Sequence, residues 1–365
     1  MLTKYGYNYR WGVTSYILEG ISLNAHLSLN MNEKKSTAVP YSVLDLAGVR
    51  DGFDIADTFK NSVSLAQHAE KLGFNRYWLA EHHNMISVAS SATSVLIGHI
   101  AGHTSTMRVG SGGIMLPNHT PLIIAEQFGT LATLYPNRID LGLGRAPGTD
   151  QLTAFEIRGE RFHSPQHFPQ DVRKLQQYLG DDNYDSKVRA IPGEGTNVPI
   201  WILGSSTESA HLAASYGLPY AFASHFAPTY FFEAIEIYRK NFRPSAVLKE
   251  PYVLSCVNVV AADTDEEAER LSTSLKILFS GIVTNKRRLL QPPVDSMEGL
   301  WSDIEEAAVE QMLDFTFIAG PEKLKEQLHS FINHTKVNEL MVTSHIYDHA
   351  ARLRSYELVA EALKA

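Results

Sequence analysis

Short runs that suit a buried strand alternate with helical stretches along almost the whole chain, and that rhythm limits the fold more than any single motif does. Strands are read at residues 41–46, 76–80, 108–116, 139–144, 199–203, 219–223, 252–261 and 339–343. Among the helices between them, residues 91–103 carry Ala92, Val95, Leu96 and Ile100 on one apolar face, and Thr120 with Pro121 supplies an N-cap and first-turn proline for a helix to Leu134. Alternating elements joined by short connections favour a parallel sheet, and no linker or composition shift divides them. The expectation is an α/β chain folded as one (β/α)8 TIM barrel with insertions after strands 4 and 7, at residues 146–198 and 280–313. A doubly wound open sheet is the alternative.

Residues 1–30 depart from the rhythm: they are rich in Tyr and Asn, show no clean period and end before a second methionine, Met31. They are read as a peripheral extension or as preceding a true start at Met31, leaving 31–365 as the single barrel domain. The net charge of -8 and the lack of a long basic stripe make nucleic acid and anionic membrane poor partners. Lys286, Arg287 and Arg288 form the one tight basic cluster, read as a solvated loop face. A single cysteine, Cys256, excludes an intrachain disulfide framework and any Cys-rich metal site, and fits a reducing cytoplasm. No apolar stretch is long enough to span a bilayer and no secretory signal is visible, so a cytoplasmic, soluble protein is expected.

In such a barrel, chemistry gathers where the strands end. Strand 2 runs out into Glu81, His82 and His83, strand 3 into Asn118 and His119, strand 4 into Arg145, strand 6 into His225 and strand 8 into His345. Side chains alternate along a strand, so one of His82 and His83 faces inward and the other packs outward. An inward imidazole near a carboxylate moves protons close to neutral pH, whereas taken alone it is more readily a hydrogen-bonded structural histidine. Four imidazole-bearing ends also suggest a metal-dependent hydrolase. The usual His-x-His of such barrels is missing from the end of strand 1, where Leu44, Asp45, Leu46 and Ala47 stand.

Two glycine-containing segments point to a ligand. Gly110, Gly112 and Gly113 lie within strand 3, where glycine weakens a strand and serves close backbone approach; a flat ligand against them and a crowded core or bulge both account for it. After strand 5, Gly204, Ser205, Ser206 and Ser209 open a helix whose amides and hydroxyls suit a phosphate, with Arg145 as countercharge. Ser205 with Glu208 equally spells a capping box. Dinucleotide and Walker motifs are absent.

Five stretches then occur in one family's order: YWLAEHHN at 77–84, VGSGGIMLPNHTP at 109–121, RIDLGLGRAPG at 138–148, LGSSTESAHLAASYGLP at 203–219, and residues 317–324. From Tyr41 to its C-terminus the chain resembles the bacterial luciferase-like flavin monooxygenases, within them a short branch of uncharacterised cytoplasmic members. The resemblance implies a (β/α)8 barrel that binds FMN at its C-terminal face, usually as a homodimer, and uses reduced flavin and O2. It implies His82 as the catalytic histidine with Glu81 before it, and Gly112–Gly113 as a cis peptide against the flavin ring. Arg145, Ser206 and Ser209 match phosphate contacts, and Gly204 and Ser205 belong to the same helix-opening segment. If the resemblance extends to a phosphate arginine within the insertion, the candidates are Arg158 and Arg161. Where luciferases carry a reactive cysteine beside the flavin this chain has Gly144, so light emission with a long aldehyde is not implied.

The function expected from this is oxygenation of a small organic substrate by an FMN-dependent monooxygenase, its reduced flavin delivered by a separate NAD(P)H:flavin reductase. His82 acts as acid or base, and Glu81 orients it or merely closes the strand. A deazaflavin-dependent hydride-transfer oxidoreductase and a non-catalytic flavin-binding protein are the competing readings.

Overall fold

A computed structural model describes residues 39–159, 164–181, 183 and 185–364. The extension at 1–30, the alternative start at Met31 and Arg161 lie outside the described residues. Among the described residues nine parallel strands form: β1 (Tyr41–Asp45), β2 (Arg76–Leu79), β3 (Arg108–Met115), β4 (Ile139–Gly144), β5 (Ile200–Gly204), β6 (Tyr220–Phe222), β7 (Val253–Ala261), β8 (Thr316–Ala319) and β9 (Glu339–Thr343). Pairing runs in sequence from β1 to β7, and β9 joins β7 to β1, so eight strands close a barrel. This is the expected (β/α)8 fold, and the open sheet is excluded.

The unexpected strand is β8. The lower end of β7 pairs with β6 at Val253–Ser255, its other edge takes β9 at Leu254–Asn258, and its upper end takes β8 at Asn258–Ala261. β8 therefore continues the edge that β6 leaves. Four residues, Thr-Phe-Ile-Ala, are too short for periodicity to separate them from a helix lead-in.

Helices α1 (Ile55–Leu72), α2 (Thr93–His103) and α3 (Pro121–Leu134) follow the first three strands. α1 starts at an Asp54 side chain that accepts from the Asp57 amide and stops at Gly73, which adopts a left-handed φ of 84°. α2 corrects the sequence reading: Thr93, Ile97, Ile100 and Ala101 are buried, while Val95 is 69% exposed. Apolar side chains nearly encircle this helix, so spacing alone did not identify the packed face. The insertion after β4 folds as α4 (Gln151–Arg158) and α5 (Phe168–Leu179). The outer shell continues with α6 (Thr207–Tyr216), α7 (Phe231–Asn241), α8 (Asp265–Val283), α9 (Asp303–Met312) in the second insertion, α10 (Pro321–Thr335) and α11 (His349–Lys364).

Inside the barrel, Leu44, Trp78, Trp201, Leu254, Cys256 and Met341 pack in one cluster, with the two indoles edge to face at 5.1 Å. Below it, at the strands' N-terminal ends, the buried Arg76 guanidinium bonds Asp140 at 2.6 Å and Glu339 at 2.7 Å. Ser42 and the Tyr252 hydroxyl also donate to Glu339, and Arg108 takes the other Asp140 oxygen. Buried charges persist only when partnered this fully. They seal the end of the barrel opposite the strand exits.

Candidate active site

β2 ends at Leu79, and the chain then folds back: the Ala80 carbonyl accepts from Ser90 Oγ and Thr93 Oγ1, and the His82 amide donates to Ser90 O at 2.9 Å. Alternation still governs the next three residues. Glu81 and His83 share one side and bond to each other, while His82 takes the other.

His82 is half-buried, with Nδ1 3.2 Å from the Gly148 carbonyl. A carbonyl only accepts, so Nδ1 carries the proton and Nε2 keeps its lone pair. Burial lowers the ring's pKa below the ordinary value; the Gly148 carbonyl opposes this and nearby Arg287 reinforces it. The side chain is thus a neutral imidazole of fixed tautomer at the strand end, suited to accept a proton.

Glu81 does not orient His82 by hydrogen bonding. Its buried carboxylate accepts from His83 Nε2 at 2.9 Å, His119 Nε2 at 2.9 Å, Asn118 Nδ2 at 3.3 Å and the Met115 amide at 3.1 Å. Burial alone would raise its pKa; the bonds from His119 and His83, the proximity of His119 and the Met115 amide overcome that and hold it at about 2. Arg158 extends the network, its Nε on Asn118 Oδ1 at 2.9 Å, and is itself buried. Glu81 therefore ties the loop after β2 to the turn after β3 and, through Asn118, to α4. The insertion is pinned further where the His83 amide donates to Gly148 O and Thr149 Oγ1 to His83 O.

At the end of β3 the Gly112–Gly113 peptide is cis. A Cβ on Gly112 would meet Leu44 at 2.7 Å, and one on Gly113 would lie 2.7 Å from the Gly142 carbonyl oxygen. The pairing with β4 also slips between Ser111 and Ile114. Crowding and a bulge thus require these glycines whatever binds beside them. At Gly144 the space is taken by Met115, whose Sδ would lie 2.9 Å from an added Cβ.

The capping box that Ser205 and Glu208 offered as the alternative to a phosphate site is not formed. α6 starts one residue later, with Ser206 at the N-cap and no side-chain cap bond. Ser209 turns inward, its Oγ donating to Ser206 O at 2.7 Å and sharing a bond with the Tyr220 hydroxyl. The Glu208 carboxylate settles against its own amide and the Ser206 hydroxyl, with Arg145 near, and its pKa falls accordingly. An anion thus already rests at this helix start, as the exposed amides and helix dipole dictate. Arg145, Leu203 and Ser209 line an open groove of about 830 Å³ there, together with Phe168, Lys240 and Arg243. Gly204 ends β5, and Ser205 follows it before the Ser206 N-cap of α6. Of the two insertion arginines, Arg158 is engaged with Asn118, away from this groove's lining.

His225 and His345 complete the mouth. Burial and then their mutual proximity hold His225 at a pKa of about 3, and burial followed by Arg352 holds His345 at about 4. Among the described residues no group of His, Cys, Asp and Glu could hold a metal ion, and no helix is long and apolar enough to cross a membrane. His119 was named in the sequence but its bond to Glu81 was not legible, because it joins two loops. Asn258 was missed, although a lone amide inside the run Val-Leu-Ser-Cys-Val-Asn-Val-Val-Ala was a usable signal.

Comparison with known proteins agrees with this architecture. Residues 39–338 match the family model described as luciferase-like monooxygenase. A luciferase-like monooxygenase of Escherichia coli (strain K12) is 48% identical over 323 residues, covering 88% of this chain and 96% of its own. The crystal structure of apo-MsnO8 superposes with a TM-score of 0.80 at 34% identity, covering 89% of this chain and 98% of its own. The oxygenating constituent of 3,6-diketocamphane monooxygenase from Pseudomonas putida, in complex with FMN, shares the fold at a TM-score of 0.67 and 18% identity, covering 89% and 97%. On the family match and the close E. coli relative, the chain belongs to the luciferase-like monooxygenase family.

Proposed function

We propose that this protein is an FMN-dependent monooxygenase that receives reduced flavin from a separate NAD(P)H:flavin reductase and oxidises a small organic substrate with O2. The observation that carries the reading is His82: a neutral imidazole with its Nδ1 proton committed to Gly148 and Nε2 left as a base at the mouth of a barrel of this family. The residues fit FMN. The start of α6 lies beside Arg145 with no N-cap side chain on its amides, and a phosphate there would displace the Glu208 carboxylate. The FMN complex of the diketocamphane enzyme on the same fold supports this choice.

Reduced flavin supplies the electrons that activate O2. His82 Nε2 takes or returns the proton at the reacting oxygen. Glu81, held ionised, fixes His83 and His119 and so keeps the insertion seated over the mouth. That closure limits water, which would divert activated oxygen to peroxide. The exposed Val95 on α2 and Ile123 and Leu134 on α3, with Ile86 in the loop before α2, suit a homodimer through the helices after β2 and β3.

F420-dependent enzymes share the fold as well, which favours deazaflavin hydride transfer as the second reading. Titration with FMN, reduced FMN and deazaflavin separates the two. The decisive variant is His82→Ala, expected to bind FMN as the parent does while the peroxide released per flavin rises and product falls. An unchanged product yield would refute the role given to His82.

A further inference from the structure

β1 and β9 lie side by side, and the helices that follow them are α1 and α11. Between these four elements is a narrow pocket of about 30 Å³ whose lining includes Asp45, Asn61, Ser62, His345, His349 and Arg352. It has room for about two waters and none for an organic substrate, and small cavities with polar walls hold water. Two imidazoles share this pocket. His345 stands two residues past β9 at the mouth, where its ring meets the edge of Phe279 at 6.4 Å and lies within electrostatic reach of His225. His349 opens α11 on the outer shell, with Nε2 3.1 Å from Ser64 Oγ on α1. Both rings are half-buried, one towards the mouth and the other in the seam between two surface helices.

The charged groups of the lining are unsuited to passing a proton. Each Asp45 oxygen already accepts two bonds, Oδ1 from the Ala47 amide and Arg352, Oδ2 from Ser62 and Tyr77. Burial would raise its pKa, but the Arg352 charge and these bonds bring it below the ordinary carboxylate value. Arg352 keeps its proton at any working pH. A neutral imidazole, by contrast, accepts at one nitrogen and releases from the other. Burial and then Arg352 hold both rings at about 4, so both are neutral at pH 7.

The proposed reaction needs such a route. When reduced flavin arrives as its anion, two electrons from it and two from the substrate reduce O2. One oxygen atom bonds to the substrate; the other leaves as water with one hydrogen from the flavin and one proton from solvent. A mouth closed against water must still admit that proton. We propose that this pocket is a proton inlet, in which water passes protons from His349 to His345 and so to the mouth. The inference rests on the oxygenase reading and adds to it the path of the proton and the two residues that serve it.

The test needs no organic substrate, because the reduced FMN anion, O2 and one proton also balance to oxidised FMN and hydrogen peroxide. Stopped-flow reoxidation of protein loaded with reduced FMN, at pH 7 in dilute buffer, should slow about a hundredfold in His349→Ala with FMN bound as in the parent, the scale of a lost acid–base group. Added imidazole should restore most of that rate, whereas a merely structural role would give a loss that imidazole leaves alone. In flavin-free protein, exchange of the His345 ring N–H with water, followed by ¹⁵N NMR, should slow in His349→Phe, which puts a ring without nitrogen in the pocket. A parent-like rate in His349→Ala, a loss that imidazole does not repair, or unchanged exchange in His349→Phe overturns the inlet. Should neither variant fold, an atomic-resolution structure of the parent protein decides: ordered water bonded to both rings is expected, and a dry pocket overturns the proposal. Failure of the parent protein to bind reduced FMN would instead count against the oxygenase reading, and the exchange measurement would still judge the inlet.

Discussion

Glu81→Gln isolates what the buried carboxylate does. Its pKa falls from 4.5 to about 2 on folding. At about 1.4 kcal/mol per tenfold change in proton affinity, that drop is worth about 3 kcal/mol. Because the folded value is the lower one, the contribution is complete above pH 4.5 and is lost as pH falls towards 2. Integration leaves about 1.4 kcal/mol at pH 3. Glutamine keeps the shape but turns an NH2 towards donors from His83, His119, Asn118 and Met115, so the variant should lose about 3 kcal/mol at neutral pH. Urea denaturation of both proteins at pH 7, 5 and 3 measures the gap, which should hold from pH 7 to pH 5 and more than halve at pH 3. Amide exchange at Met115, whose N–H donates to Glu81, reports locally. A variant that loses under about 1 kcal/mol at pH 7, or the same amount at pH 3, would refute the claim that ionised Glu81 holds the mouth together.

Gly113→Ala should cost about 1–3 kcal/mol and weaken FMN binding, because its Cβ meets the Gly142 carbonyl at 2.7 Å, a strand backbone that cannot step aside; an unchanged melting curve would contradict this. Gly144→Cys should fold normally, since the atoms in its way are the mobile end of Met115, with Sδ at 2.9 Å and Cε at 3.5 Å; aggregation on expression would show the thioether to be fixed. Arg76→Leu should lose about 3–5 kcal/mol, because it strands the Glu339 carboxylate in the interior; a urea midpoint near that of the parent protein would count against the sealed ionic layer.

The barrel was legible because each strand and helix announces itself locally: α1 was read with the bounds it has, and β4 and β9 likewise. What escaped was set by distant partners. β8 is a strand only because β7 outlasts β6, and Val95 is exposed only because α2 turns Ile97 and Ile100 inward. Of the site residues, His82 stands at the strand end that its spacing indicated. Glu81 serves His119, 38 positions along the chain, and no local pattern encodes that pairing. The Ser205–Glu208 spacing did spell a capping box, but the helix began at Thr207 and left Ser206 to flank it.

The ionic layer of Arg76, Asp140 and Glu339 has a kinetic consequence. With the far end of the barrel stopped by charge, the flavin and substrate of the proposed reaction would share one doorway at the strand exits with the departing product. Whatever lies deepest must arrive first and leave last, so the order of binding follows from architecture. The Gly148 carbonyl, held by both His82 and His83, is the contact that any opening of this doorway would have to break.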